Sequence, residues 1–133
     1  MAFGTGALEL REGGGTRVLV VEDNIDTADL FAALLLGRGY DVVASNDGAS
    51  ALRQLETFIP HIALLDIGLP RIDGYEIARR LRIASPGVRM IAITGYGQDR
   101  DRVKALDAGF EVHLLKPVGA RQILDSVNAL RPW

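Results

Sequence analysis

Several side chains that could act together chemically each come directly after a short apolar run. In chain order they are Glu22 and Asp23, Asp66, Thr94 and Lys116. Short apolar runs bounded by turn residues predict buried strands, so each of these groups should stand at the carboxyl end of a strand. In an open parallel sheet, ligands bind just outside those ends. The sequence therefore predicts one site that combines carboxylates, a hydroxyl and an amine.

The carboxylates suggest a divalent cation. If the first and third strands are neighbours, Asp23 and Asp66 should lie within a few ångströms of each other. Two carboxyl groups at such a short distance repel each other when both are ionised, and a bound cation neutralises that repulsion. Carboxylates together with a backbone carbonyl suit Mg²⁺. The chain contains no cysteine and no cluster of histidines, so the sequence gives no sign of a zinc site.

The elements that must position these groups alternate between strand and helix. Apolar runs predict strands over 18–21, 41–44, 61–65, 90–93 and 112–115, and periodicity predicts helices over 24–37, 49–57, 75–83, 99–108 and 120–130. Such alternation indicates parallel strands with right-handed crossovers. We expect an α/β fold with a doubly wound five-stranded parallel sheet, of order 2-1-3-4-5, and helices on both faces.

Each predicted helix has an apolar face that should point inward. These faces are Leu30, Phe31, Leu34 and Leu35; Ala51, Leu52 and Leu55; Ile77, Ala78 and Leu81; Val103 and Leu106; and Ile123, Leu124, Val127 and Leu130. The fourth helix is mostly polar, so we expect it to be the most loosely held. Asn24 or Asp23 should cap the first helix.

Length and composition are those of one globular domain. The chain has 133 residues, of which residues 1–16 are glycine-rich and predict a flexible tail or linker, and residues 17–131 form the predicted domain. The net charge of −2 gives no electrostatic reason to expect direct binding to nucleic acid or to an anionic membrane. The longest apolar run, Leu30–Leu36, is far shorter than the roughly 20 residues that span a bilayer. We expect a cytoplasmic location.

From Arg17 to Leu130 the chain resembles the receiver domains of response regulators in two-component signalling. The motifs that carry the resemblance are Leu-Val-Val-Glu-Asp-Asn, Leu-Leu-Asp-Ile-Gly-Leu-Pro-x-x-Asp-Gly, Ile-Thr-Gly and Leu-Lys-Pro, in this order and each at a predicted strand end. One stretch, Thr-Gly-Tyr-Gly-Gln-x-x-Asp-Arg, is also similar to receivers fused to hybrid histidine kinases. The sequence is therefore compatible both with a fragment of a hybrid kinase and with a stand-alone receiver.

The resemblance implies a role for each residue of the acidic site. Asp66 is the implied phosphoacceptor and a ligand of Mg²⁺. Asp23 is the implied direct metal ligand, with Glu22 acting mainly through water. Gly68, two residues after the acceptor, is expected to offer its backbone carbonyl to the metal.

The resemblance also implies how the site answers phosphorylation. Thr94 is the hydroxyl that turns toward the phosphoryl group, and Lys116 is the ammonium that pairs with it. His113 occupies the switch position at which many members carry Tyr or Phe. The peptide bond between Lys116 and Pro117 is expected to be cis, as is typical of the family.

The implied function is that of a phospho-accepting domain in a phosphorelay. The phosphoryl group would come from a histidine kinase or a histidine phosphotransfer protein and would change the face formed by the fourth helix, fifth strand and fifth helix. That face could also form a homodimer.

One alternative is a degenerate receiver that binds proteins without being phosphorylated. A flavin or nucleotide binder is disfavoured because Glu22 and Asp23 stand where a phosphate-binding loop would be, and an aspartyl phosphatase because the Asp-x-Asp pattern after the first strand is absent.

Overall fold

The computed structural model describes residues 13–68, 74–95 and 99–132, with the side chains of residues 99–102 left undescribed. The elements are β1 (Arg17–Val21), α1 (Ile25–Leu36), β2 (Asp41–Ser45), α2 (Gly48–Gln54), β3 (Ile62–Asp66), α3 (Gly74–Ala84), β4 (Arg89–Thr94), α4 (Asp99–Asp107), β5 (Phe110–Leu115) and α5 (Ala120–Leu130). None of the helices in these ranges is both long and apolar enough to cross a bilayer.

All five strands pair in parallel, in the order β2-β1-β3-β4-β5, which confirms the predicted doubly wound sheet. Strands β1 and β3 are direct neighbours, with Val21 opposite Leu65 in the register. Because the chain direction is the same in every strand, the residues that follow the strands collect along one edge. We call this the carboxyl edge, and the opposite one the amino edge.

The central strand β3 is buried along its whole length, because helices cover both faces of the sheet. Alternate residues feed two separate cores. The core under α1 and α5 includes Val20, Leu64, Ile93, Phe31 and Val127. The core under α2, α3 and α4 includes Leu19, Leu65, Ala92, Ile77 and Ala105. The carboxyl edge therefore rests on a strand that is packed from both sides.

Side-chain caps fix where two of the helices begin. The Asn24 side chain accepts a hydrogen bond of 2.9 Å from the Thr27 N–H, which satisfies one of the free donors in the first turn of α1. Asp47 does the same for α2 through the Ser50 N–H, at 2.7 Å. The caps place α1 directly after the acidic pair that ends β1, so the start of this helix belongs to the rim of the site.

Most residues of the predicted inward faces are buried, but the prediction is wrong for Leu30, Val103 and Leu106. Leu30 is 57% exposed, because the buried stripe of α1 is centred on Ala28, Phe31 and Leu35. Val103 and Leu106 are 56% and 62% exposed. The sequence predicts the largest apolar side chains of this polar helix as its anchors. Of the α4 residues whose side chains are described, however, only the small Ala105 is buried, since it lets the helix approach the sheet closely.

The last part of the predicted tail belongs to the fold. The Gly13 N–H donates to the Arg38 carbonyl at 2.8 Å, and the Asp41 N–H donates to the Thr16 carbonyl at 2.9 Å. Thr16 is fully buried. The prediction of a flexible tail is therefore wrong for residues 13–16. Hydrogen bonds connect these residues to the end of α1 and the start of β2. Residues 1–12 lie outside the described part of the chain.

Candidate functional site

Three carboxylates converge on the carboxyl edge. Glu22 and Asp23 follow β1, and Asp66 is the last residue of β3. One oxygen from each lies within 4.8 Å of the others. Glu22 is 3% exposed and Asp66 is 4% exposed, whereas Asp23 faces solvent. The prediction that Asp23 and Asp66 lie within a few ångströms of each other is thus confirmed, and the parallel pairing of β1 with β3 is the reason.

Lys116 and the Gly68 N–H both donate hydrogen bonds to Asp66. Lys116 comes directly after β5, and its ammonium donates to Asp66 Oδ2 at 2.7 Å while lying 3.7 Å from Glu22 Oε1. The other carboxylate oxygen, Oδ1, accepts a 2.9 Å hydrogen bond from the Gly68 N–H. The Lys116-Pro117 bond is cis, as expected. These contacts fix the orientation of the Asp66 carboxylate at the rim of the sheet.

The carboxyl groups at this site have displaced pKa values. Burial, followed by the hydrogen bond to Asp66 and the charge of that carboxylate, raises the pKa of Glu22 to about 8. Burial would also raise the pKa of Asp66, but hydrogen bonds from Glu22, Lys116 and the Gly68 N–H outweigh it and lower that pKa. Burial and the neighbouring Asp66 carboxylate thus favour the protonated form of Glu22 at neutral pH.

Burial alone would lower the pKa of the Lys116 ammonium, but the hydrogen bond and the negative charge of Asp66 outweigh it and raise the pKa. Lys116 is accordingly a cation at neutral pH, where Asp66 is a carboxylate. The ion pair joins the last residue of β3 to the residue after β5, which are separated by β4 in the sheet. The Lys116 ammonium thus approaches the acidic cluster from the β5 end of the carboxyl edge.

The donor set suits a hard divalent cation. Glu22 Oε2 is buried and has no hydrogen-bond partner among the described residues. A bound cation is one partner that would satisfy such a buried atom. Carboxylate oxygens are the ligands that Mg²⁺ and Ca²⁺ prefer, and the cluster offers three of them with one side open to solvent. The residues present therefore fit the predicted magnesium site.

Thr94 and His113 lie next to this cluster at different depths. Thr94 ends β4 and is buried, one position beyond the Ile93 that pairs with Asp66. His113 pairs with Ala92 in the register, so it lies farther from the edge and on the face that α4 covers. The His113 Nε2 atom is buried and has no hydrogen-bond partner within the described residues.

Two supporting contacts were not anticipated from the sequence. The Asn46 side chain, just after β2, donates to the Glu22 carbonyl at 3.1 Å and so braces the acidic pair from the neighbouring strand. The Gly68 N–H bonds to Asp66, whereas the expected contribution of Gly68 was its carbonyl. Asn46 lies in a turn of polar residues that predicts only a loop, and its contact depends on the pairing of β1 with β2. Residues 69–73, the rest of the motif around Asp66, lie outside the described residues.

A cleft opens beside the acidic cluster. It has a volume of about 490 Å³, and its lining includes Glu22, Asn24, Leu30, Lys116 and Pro117. The exposed side of α1 forms one wall and the segment after β5 forms the other. A group that enters this cleft meets Glu22 and Lys116, which both lie next to Asp66.

Comparisons with known sequences agree on one family. Residues 18–128 match the family described as the response regulator receiver domain. The chain is 35% identical to an uncharacterized 14.6 kDa protein of Leptolyngbya boryana, over 84% of this chain and 86% of that protein. It is 32% identical to the alkaline phosphatase synthesis transcriptional regulatory protein PhoP of Bacillus subtilis, over 86% of this chain and 48% of that protein. The chain spans about half the length of several curated relatives that it matches.

Solved structures give the same result. A CheY-like response regulator receiver domain protein from Methanospirillum hungatei JF-1 superposes with a TM-score of 0.81 at 30% identity, over 86% of this chain and 92% of that one. The BeF3-activated receiver domain of DrrB superposes with a TM-score of 0.79 at 27% identity, over 87% of this chain and 97% of that one. The fold and the order of the strands are those of these proteins.

Proposed function

The chain belongs to the response regulator receiver domain family, and from that membership we propose that it accepts a phosphoryl group on the Asp66 carboxylate. The observation that carries the proposal is the 2.7 Å contact between Lys116 and Asp66, made within a cluster of three carboxylates. An ion pair of this kind orients a buried carboxylate and keeps it ionised. An ionised, oriented carboxylate is what nucleophilic attack on phosphorus requires.

The reaction is a transfer between two proteins. A carboxylate oxygen of Asp66 attacks the phosphorus of a phosphohistidine, forming an O–P bond as the P–N bond breaks, and the leaving imidazole takes a proton. Charge builds up on the equatorial phosphoryl oxygens, and the Lys116 ammonium lies where it can pair with them. The Gly68 N–H keeps the carboxylate in position during the attack.

Asp23, Asp66 and the Gly68 carbonyl would hold Mg²⁺, with Glu22 acting mainly through water. Bound there, the ion would neutralise negative charge on the carboxylates and the phosphoryl oxygens. Because its pKa is raised, Glu22 must be deprotonated before the cluster can carry its full charge. The orphaned Glu22 Oε2 and the open side of the cluster support this assignment.

Thr94 and His113 are the proposed switch. The phosphorylated side chain gains acceptor oxygens, and the Thr94 hydroxyl would donate to one of them. That movement would leave room for the His113 side chain, whose buried Nε2 has no described partner in the present arrangement. The change would then reach the α4, β5 and α5 face, where α4 is held by few buried side chains.

The phosphodonor is proposed to be a histidine kinase or a histidine phosphotransfer protein. The cleft beside Asp66 is bounded by the first turns of α1 and by the Lys116-Pro117 segment. Leu30 lines it and is 57% exposed, so a partner can cover apolar surface while its phosphohistidine reaches the acceptor. A homodimer through the α4, β5 and α5 face remains part of the proposal.

Intact-mass measurement tests the assignment. The protein is incubated with acetyl phosphate and Mg²⁺, beside the Asp66→Asn and Thr94→Ala variants. Wild type should gain one phosphoryl group, Asp66→Asn should gain none, and Thr94→Ala should gain one because its carboxylate is intact. Beryllofluoride, which activates the related DrrB domain, should alter the α4, β5 and α5 face in the wild type but not in Thr94→Ala.

An unmodified wild-type protein would overturn the proposal and favour the degenerate receiver. Equal modification of wild type and Asp66→Asn would move the acceptor to another residue. A Thr94→Ala variant that shows the full response to beryllofluoride would leave phosphorylation standing and remove Thr94 from the switch.

A further inference from the structure

A second recess lies on the far side of the sheet from the cleft beside Asp66. It has a volume of about 560 Å³ and is lined by Tyr75, Arg79, Arg82, Ile83, Pro86, Asp107 and Ala108. The first five of these form one stripe along α3 and its end, and the last two belong to the end of α4. We call it the α3–α4 groove. None of these residues takes part in the chemistry proposed at Asp66.

The groove offers apolar surface that the fold leaves uncovered. Ile83 is 70% exposed. Tyr75 forms the inner wall, where its ring meets Phe110 edge to face at a centroid distance of 6.3 Å. A partly buried ring beside a nearly free isoleucine is a surface on which an aliphatic or aromatic side chain can be buried.

Two cations at the groove, Arg82 and Lys104, have few partners among the described residues. Arg82 makes one long bond, 3.4 Å from Nη1 to the Ala108 carbonyl, and the Lys104 ammonium lies 5.3 Å above the Tyr75 ring. Neither forms an ion pair with a carboxylate in the described parts of the chain. By contrast, Glu76 already accepts hydrogen bonds from Arg79 and Arg80.

The backbone makes room for the Arg82 side chain. Gly109 has a φ of +97°, and a Cβ atom at that position would lie 2.5 Å from Arg82 Nη1. Only a glycine therefore lets the guanidinium lie across the end of α4. The exposed charge is held over the groove instead of extending into solvent, which pre-organises it for an anionic partner.

We propose that the α3–α4 groove docks an acidic peptide segment of a partner protein, in which carboxylates flank an aliphatic or aromatic residue. Arg82 and Lys104 would pair with the carboxylates, and the apolar residue would lie between Ile83 and Tyr75. The charge complementarity is local, because the whole chain carries a net charge of −2. The docking does not depend on phosphorylation of Asp66.

The test uses a fluorescein-labelled peptide of about ten residues, long enough to follow α3, in which Glu and Asp alternate with Leu and Phe. Fluorescence anisotropy should show saturable binding that weakens as salt is added. Backbone amide chemical shifts should move at Tyr75, Ile83 and Gly109 and not along α1. The matched control peptide carries Lys in place of every acidic residue and should not bind.

Variants locate the contact. Arg82→Glu should weaken binding about tenfold, because it replaces a charge-assisted hydrogen bond with repulsion. Arg80→Glu is the matched control: it changes the same charge on the same helix but does not line the groove, and it should alter affinity less than about twofold. Both positions are exposed, and unfolding curves of the two variants will show whether they remain folded.

Three results would overturn the proposal. They are equal binding of the acidic and basic peptides, equal losses in Arg82→Glu and Arg80→Glu, and shifts confined to another face. Self-association on sedimentation, if Arg82→Glu abolished it, would make a second copy of this chain the occupant in place of a partner's peptide.

Discussion

The two edges of the sheet carry polar groups in different ways. At the carboxyl edge, Glu22, Asp66 and Lys116 share one buried cluster, and Glu22 Oε2 has no partner in the described structure. At the amino edge, several polar groups form single hydrogen bonds, although the buried Thr16 Oγ1 also has no partner among the described residues. The Arg17 N–H donates to His61 Nδ1 at 2.9 Å, and the Ser85 hydroxyl donates to the Pro60 carbonyl at 3.3 Å.

The two edges also differ in how burial shifts the pKa of a side chain. Burial raises the pKa of Glu22 because an acid is kept protonated beside other carboxylates. Burial, with the nearby charge of Arg17, lowers the pKa of His61 because a base is kept neutral as an acceptor. The carboxyl edge thus gathers charged groups that shift one another's pKa values, whereas the amino edge keeps one base neutral so that it can accept a hydrogen bond.

The largest effect should come from Glu22. Its pKa in the folded state, about 8, lies above the ordinary value of 4.5, so its contribution to stability is fully present below 4.5 and is lost as pH rises through about 8. Metal-free protein should therefore lose about 2–4 kcal/mol of unfolding free energy between about pH 5 and about pH 9. Glu22→Gln should flatten this dependence in urea unfolding. An equally steep loss in the variant would place its origin elsewhere.

A smaller effect should come from Mg²⁺. At neutral pH, Mg²⁺ at about tenfold above its Kd should raise the unfolding free energy by about 1.4 kcal/mol, because the ion binds only the folded cluster. Asp23→Asn should remove most of this gain. Asp26→Asn, which changes an acidic residue in the first turn of α1 outside the cluster, is the matched control and should keep it. Equal gains in both variants would contradict a site that includes Asp23.

The smallest effect should come from His61. Its pKa in the folded state lies below the ordinary 6.5, so its stabilisation is present above 6.5 and is lost as pH falls below it. The loss should be at most about 1 kcal/mol, since one partly buried hydrogen bond is broken and solvent screens the site. In His61→Asn, whose amide oxygen can accept without titrating, stability between about pH 7.5 and about pH 5.5 should stay nearly constant. Matching slopes in wild type and variant would rule His61 out as the titrating group.

Local patterns predicted most of the fold. The strands were visible as short apolar runs, and Asn24 as a cap, because both depend on neighbours in the sequence. The inward residues of α5, Ile123, Leu124 and Val127, followed from periodicity and are buried as expected. The prediction failed for α4 because periodicity finds the largest apolar side chains, whereas close approach to the sheet selected the small Ala105.

The sequence by itself determined which residues end the strands, and hence which side chains could meet at the site. Tertiary structure decided how they meet, through the contacts of Lys116 with Asp66 and Glu22 and the hydrogen bond from Asn46 to the Glu22 carbonyl. It also placed the Arg82 guanidinium against the Ala108 carbonyl, over Gly109. These features depend on distances between segments far apart in the chain. A one-dimensional pattern records which groups are available, but burial and charge act through space, so their balance is fixed only when the strands are packed side by side.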